Sequence, residues 1–153
     1  MQATSATFLK PTAIERMLNR FVGVLLGWGI GPGHACLVEV KGRKSGRLYA
    51  TPVDLLETGG KSYLVCPRGR AQWVRNAEAA GRVTLRRGRS RREFSLRALA
   101  DSEKPALLKE YLDRFRIAVQ RYFPVAAGSP ASAFEPHAQR YPVFELVAAA
   151  LRK

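Results

Sequence analysis

Glycine turns recur between short segments of alternating polar and apolar residues, and their spacing limits the fold more than any other feature of the chain. Gly59-Gly60 separates the predicted strands 48–58 and 61–66, which is a strong signal for a two-residue hairpin. Gly88 separates the predicted strands 82–87 and 89–100. Hairpins join antiparallel strands, whereas parallel strands need long crossover connections. A Rossmann-type parallel sheet is therefore disfavoured.

The remaining segments complete a mainly antiparallel α+β pattern. A strand is predicted over 36–41 and a last strand over 141–147. A short helix over 71–80 ends at Gly81, and a longer helix begins at Asp101 or Ser102 and runs towards Phe123. About six strands with flanking helices predict a small barrel or roll that forms a single domain over residues 1–153.

Residues 1–33 are predicted to form an amphipathic helix, 11–28, followed by a loop. Apolar side chains repeat at helical spacing on one face, so the helix packs on the domain or, alternatively, lies at a membrane interface. The apolar run 21–30 is too short to span a bilayer, and no cleavable signal is evident. We therefore expect a cytoplasmic protein, with peripheral membrane contact through this helix as the alternative.

The net charge of +14 requires an explanation, because it predicts an anionic partner. The segment 42–47 (GRKSGR) lies between two predicted strands and combines two glycines with basic side chains and a serine hydroxyl. Such a turn can hold an anion, although a solvated basic turn has the same composition. It is not a Walker loop, since no helix follows it.

A second basic segment, 67–76 (PRGRAQWVRN), leads into the predicted short helix. The amino end of a helix favours anions. Trp73 and Asn76 share one face of this helix, and Trp73 is either a core anchor or a wall for a flat ligand. Asn76 is an unfavourable choice for the middle of a helix, which indicates a specific role.

These two segments, with Thr51-Pro52 between them and 82–88 (RVTLRRG) after them, resemble the deazaflavin-dependent nitroreductase and quinone reductase family in order and spacing. The resemblance implies a split β-barrel, like that of flavin mononucleotide (FMN)-binding proteins. It also implies binding of coenzyme F-420, a deazaflavin that carries a phosphate and a polyglutamate tail. Where the family often has an arginine, this chain has Tyr49.

The resemblance also assigns cofactor-binding residues. Three residues of the basic turn would hold the phosphate, the following strand would lie along the ring, and the second segment would face it. Arg68 would reach the tail carboxylates. The expected residues are Arg43, Lys44, Ser45, Tyr49, Ala50, Thr51, Pro52, Val53, Cys66, Pro67, Arg68, Gln72, Trp73 and Asn76.

The expected reaction is hydride transfer to a small electron-poor acceptor such as a quinone or a nitroaromatic, which needs no catalytic side chain and no metal. Trp28, Tyr111, Tyr122 and Phe123 are candidates for contact with the acceptor, or core residues. Two alternatives stay open: an FMN-binding oxidoreductase on the same barrel, and a nucleic-acid-binding module that uses the arginines of 86–92. We expect no nucleic acid, and the sequence leaves the oligomeric state open.

Overall fold

Six antiparallel strands close into a barrel in the computed structural model, which describes residues 34–148. The order around the barrel is β1-β2-β3-β6-β5-β4. This confirms the predicted split-barrel fold, while the predicted helix 11–28 and Trp28 lie outside the described residues. The strands are β1 (Ala35–Lys41), β2 (Leu48–Thr58), β3 (Lys61–Val65), β4 (Arg82–Arg87), β5 (Ser90–Ala98) and β6 (Val143–Ala148).

Within residues 34–148, two α-helices accompany the barrel: α1 (Gln72–Ala80) and α2 (Lys104–Val119). The predicted helix from 101 towards 123 is divided, because 3-10 turns precede and follow α2 and Phe115 leaves helical geometry with φ −111° and ψ 22°. A 3-10 helix, Ala131–Arg140, lies in the segment after Pro124, for which the sequence predicts a loop. Its sequence contains Pro136 and lacks the periodicity by which an α-helix is found.

The strands separate two hydrophobic cores. Leu64 and Phe144 point into the barrel, where Trp73, Val74 and Ala77 of α1 close one end. The neighbouring residues Tyr63, Val65 and Val143 point outward. There they pack against α2 and the 3-10 helix, around the fully buried Leu108, Leu112 and Phe134. β3 and β6 are therefore buried on both faces, which fixes their register firmly.

Pairing between β2 and β3 stops halfway along β2. Leu55 pairs with Leu64, and extending the register places Pro52 opposite Pro67. The amides of Leu55 and Cys66 point to the outer neighbours, donating to the carbonyls of His34 and Pro142 at 2.8 and 3.0 Å. The N–H and C=O groups of successive residues in a strand point to opposite sides, so the backbone groups of positions 52 and 67 would point towards each other. Neither proline has an N–H to donate. The ladder ends at Leu55 and Leu64, before it would reach these two prolines, and the barrel splits beyond it.

The split leaves one edge of β2 open. From Leu48 to Asp54 the strand pairs with β1, whereas its pairing with β3 covers only Leu55 to Thr58. By the same alternation, the backbone groups of Ala50, Pro52 and Asp54 point to the open side. Within residues 34–148, no helix is long and apolar enough to cross a membrane.

We predict that Leu108→Ala destabilises the protein by about 2–5 kcal/mol, because it leaves a cavity where α2 meets the outer core. Ile117→Ala on the same helix is the matched control, since Ile117 is 98% exposed and Leu108 is 0% exposed. Urea unfolding of both variants measures the difference. Equal losses would contradict the described packing of α2.

Candidate functional site

A cleft of about 710 Å³ opens where β2 and β3 separate. The open edge of β2 forms one wall, the loop between β3 and α1 forms a second, and the C-terminal part of α2 forms a third. The lining residues are Ala35, Thr51, Pro52, Val53, Asp54, Val65, Cys66, Pro67, Arg68, Ala71, Gln72, Trp73, Tyr111, Ile117, Ala118, Val119, Arg121 and Tyr122.

The loop from β3 to α1 is held tightly at Cys66. Gly69, with φ +92°, lets the chain turn back, and its amide donates to the Cys66 carbonyl at 3.3 Å. Burial raises the pKa of the Cys66 thiol to about 11, although hydrogen bonds from the amides of Ala71 and Arg68 act in the opposite direction. Cys66 is therefore a neutral thiol in the cleft wall at physiological pH.

Trp73 lies between the barrel core and the cleft. It is buried in the barrel core, with its ring centroid 6.4 Å from that of Phe144, and it also lines the cleft. A large aromatic at this point stiffens the boundary between the core and the cleft.

Asn76 anchors the turn between β1 and β2. Its side-chain oxygen accepts from the backbone amide of Arg43 at 3.1 Å and from the Arg43 guanidinium at 2.8 Å. The guanidinium also donates to Gln72 at 3.0 Å. Asn76 is only 6% exposed, and a buried amide oxygen needs such donors. This contact explains why a poor helix former occupies the middle of α1.

The turn itself is closely packed. The Gly42 amide donates to the Arg47 carbonyl at 2.7 Å, and the Arg47 amide donates to the Ser45 hydroxyl at 3.2 Å. A Cβ on Gly42 would lie 2.7 Å from the Tyr49 ring, so this close approach requires glycine. The Tyr49 hydroxyl lies 3.4 Å from that of Ser45.

Aromatic side chains of α2 and the turn after it form the wall opposite β2. Arg68 donates through Nε to the Tyr122 hydroxyl at 3.2 Å, which joins two walls of the cleft. Ile117 is almost fully exposed at the mouth. Phe123, by contrast, lies in the outer core, stacked on Tyr141 at 4.5 Å between ring centroids, and does not line the cleft.

Asp54 is an acidic group at the inner end of the cleft. One carboxylate oxygen lies 3.3 Å from His34 Nε2, and the His34 ring packs on Phe115 with centroids 4.7 Å apart. Burial raises the pKa of the Asp54 carboxyl, and His34 offsets part of this rise. The sequence predicts a functional role for neither residue, because nothing in it shows that the two meet.

The structure brings most of the expected residues together. Thr51, Pro52, Val53, Cys66, Pro67, Arg68, Gln72 and Trp73 line the cleft. The others lie outside its lining: Arg43 and Asn76 are joined to it through Gln72, Ser45 and Tyr49 belong to the packed turn, and Lys44 and Ala50 are exposed beside that turn.

Comparison with known proteins agrees with this architecture. Residues 13–122 match the family described as F420H(2)-dependent quinone reductase. No curated protein matches significantly.

Three solved structures illustrate the likeness, and at identities of 20% or less it concerns the fold alone. A chain described as a domain-swapped dimer has a TM-score of 0.52 at 20% identity, covering 87% of this chain and 92% of that one. An F420-H2 dependent reductase, FDR-A, has 0.50 at 19%, covering 74% and 94%. HutZ, the heme storage protein from Vibrio cholerae, has 0.54 at 11%, covering 77% and 83%.

We predict that Asn76→Ala lowers the free energy of unfolding by about 1–3 kcal/mol, because the Arg43 amide loses its acceptor. Alanine is the better helix former, so helix propensity alone would give the opposite sign. Urea unfolding decides between them, with the exposed Arg75→Ala on the same helix as control. A stabilised Asn76→Ala variant would refute the anchoring role.

We also predict that both cysteines react slowly with iodoacetamide at pH 8. Burial raises the pKa of Cys36 and of Cys66 to about 11, so little thiolate is present. The rate in the folded protein should be about 100-fold or more below that in urea. Mass spectrometry of the alkylated protein measures both rates, and equal rates would contradict the described burial.

Proposed function

The chain belongs to the F420H(2)-dependent quinone reductase family, and we propose that it binds reduced coenzyme F-420 in the cleft and passes a hydride to a quinone, a nitroaromatic or a similar electron-poor acceptor. The observation that carries this proposal is the open edge of β2, which runs along a cleft with a basic, carboxylate-free turn at one end.

The open edge suits the polar side of a deazaflavin ring. The ring presents an N–H between two carbonyl oxygens, and β2 offers the N–H and C=O of Ala50, the C=O of Pro52 and the N–H of Asp54 on one side. Backbone groups held by a sheet are fixed in direction, so they orient a flat ligand at little entropic cost. Trp73 and Pro67 would bound the ring from the other side of the cleft.

The basic turn suits the phosphate. Arg43 contacts neutral amide oxygens, and within residues 34–148 no carboxylate forms an ion pair with Arg43 or Lys44. α1 begins beside this turn with no acidic residue in its first turn and no side-chain cap. The helix end and the two cations therefore favour an anion together. Ser45 would add a hydroxyl donor, and Arg68 would meet the tail carboxylates.

The acceptor would occupy the space between the ring and α2. Tyr111, Val119 and Tyr122 line that side with aromatic and apolar surface. When bound, the cofactor supplies the hydride. The protein binds and orients the acceptor and excludes water with Trp73, Tyr111 and the Arg68–Tyr122 contact.

The alternatives have less support. The family is named for coenzyme F-420 and not for FMN. Two of the arginines of 86–92, which could track a nucleic acid, have partners within the barrel: Arg91 Nε lies 3.2 Å from the buried Glu39 carboxylate, and Arg92 lies over the Phe94 ring. Residues 86–92 contain no aromatic side chain on which nucleic-acid bases could stack.

We predict that the double variant Arg43→Ala/Lys44→Ala weakens coenzyme F-420 binding by about 2–4 kcal/mol, at least about 30-fold in Kd, because two charge-assisted contacts to the phosphate are lost. Quenching of tryptophan fluorescence reports the affinity. The phosphate-free deazariboflavin should bind the variant and the wild type equally.

Arg82→Ala/Arg89→Ala removes the same charge from the β4–β5 hairpin and should leave both affinities unchanged. Equal affinity of the Arg43→Ala/Lys44→Ala variant and the wild type for coenzyme F-420 would overturn the phosphate assignment. Tighter binding of FMN than of coenzyme F-420 by the wild type would overturn the choice of cofactor.

A further inference from the structure

The His34–Asp54 pair connects two cavities. Asp54 lines the cleft, whereas His34 lines a second cavity of about 480 Å³ that also borders Cys36, Glu57 and Lys61. The Nε2 atom of His34 and a carboxylate oxygen of Asp54 are 3.3 Å apart, and the exposed fractions of the two side chains are 43% and 25%. A proton could thus pass between the second cavity and the cleft through this pair.

Tyr111 presents a second polar group to the cleft. The residue is only 2% exposed and lines the cleft, and its hydroxyl has no hydrogen-bond partner within residues 34–148. A buried hydroxyl without a partner is costly unless a ligand or water completes it.

We propose that Asp54, supplied with protons through His34, is the acid that protonates the reduced acceptor, and that the Tyr111 hydroxyl binds the acceptor oxygen. This rests on the proposed function, because it assumes an acceptor that gains a hydride. Both residues line the cleft, and Asp54 lies near enough to Tyr111 to act on it electrostatically.

The atoms and charges balance. A quinone that gains a hydride becomes a quinol monoanion, with two electrons added and one oxygen left unprotonated. The Asp54 O–H bond breaks, its proton forms the second O–H bond of the quinol, and Asp54 becomes a carboxylate. The imidazolium form of His34 then returns a proton to Asp54 and recovers its own from solvent. The Tyr111 phenol only donates a hydrogen bond throughout.

The electrostatic surroundings suit these roles. Burial raises the pKa of Asp54, so the carboxyl keeps its proton to a higher pH than an exposed one. Burial and the nearby Asp54 raise the pKa of Tyr111 well above its usual value, so the phenol stays neutral and can donate. The other titratable or charged groups near the pair are Cys36, Glu57, Cys66, Arg68, Arg87, Arg121 and Tyr122.

The first experiment needs no cofactor. The chain has two histidines, His34 and His137, so NMR of their ring protons at fixed pH follows His34 directly, with His137→Gln for assignment. Asp54→Asn should change the ring-proton chemical shifts of His34, because it replaces the carboxyl group that lies 3.3 Å from Nε2, and should leave those of His137 unchanged. Unchanged His34 resonances would overturn the contact on which the proton path depends. Thermal unfolding of Asp54→Asn checks that the fold is kept.

The second experiment measures quinone reduction as a function of pH. In the wild type, kcat should fall as pH rises through the raised pKa of Asp54, because the acid form is lost. Asp54→Asn should lower kcat at least about 100-fold and remove that pH dependence, with coenzyme F-420 affinity unchanged. Asp54→Glu should restore part of kcat, and Tyr111→Phe should mainly raise KM. The exposed Glu135→Gln is the matched control.

The outcomes separate the two proposals. If the wild type reduces the quinone and Asp54→Asn keeps the wild-type kcat and pH profile, the proton-donor role is wrong and the proposed function stands. If the wild type binds coenzyme F-420 but reduces none of the quinone or nitroaromatic acceptors, the proposed function itself fails.

Discussion

The β2–β3 ladder ends at Leu55 and Leu64, and neither Pro52 nor Pro67, which an extended register would bring opposite each other, has an N–H with which to continue it. A ladder that continued past this point would close this side of the barrel. The missing N–H of Pro52 does not weaken the pairing with β1, because the backbone groups at this position do not point towards β1. The barrel thus keeps its other pairings and gains one open edge with fixed polar groups.

Helix α1 links this opening to the rest of the structure. It is only nine residues long, and an isolated helix of that length would be marginal in water. Burial of Trp73, Val74 and Ala77 in the barrel holds it in place. Asn76 and Gln72 of the same helix hold Arg43, so the position of the basic turn depends on the barrel core and not on the turn alone.

The sequence was sufficient for what depends on local pattern. Gly59-Gly60 and Gly88 identified the hairpins, and the order of motifs identified the fold and eight of the eighteen residues that line the cleft. Contacts between distant segments were not predictable. Asn76 was noticed as unusual, but its partner lies 33 residues away. Asp54 and His34 carry no local signal, and the 3-10 helix Ala131–Arg140 lacks α-helical periodicity.

The position of β6 has a consequence for folding. This strand follows all the others in the chain, yet it lies between β3 and β5 in the barrel. During synthesis, the edges of β3 and β5 therefore stay unpaired until residue 148 has left the ribosome, and exposed edges are sites of aggregation. Contacts across such long separations also fold slowly. Nascent chains of this protein should therefore depend on chaperones until β6 arrives.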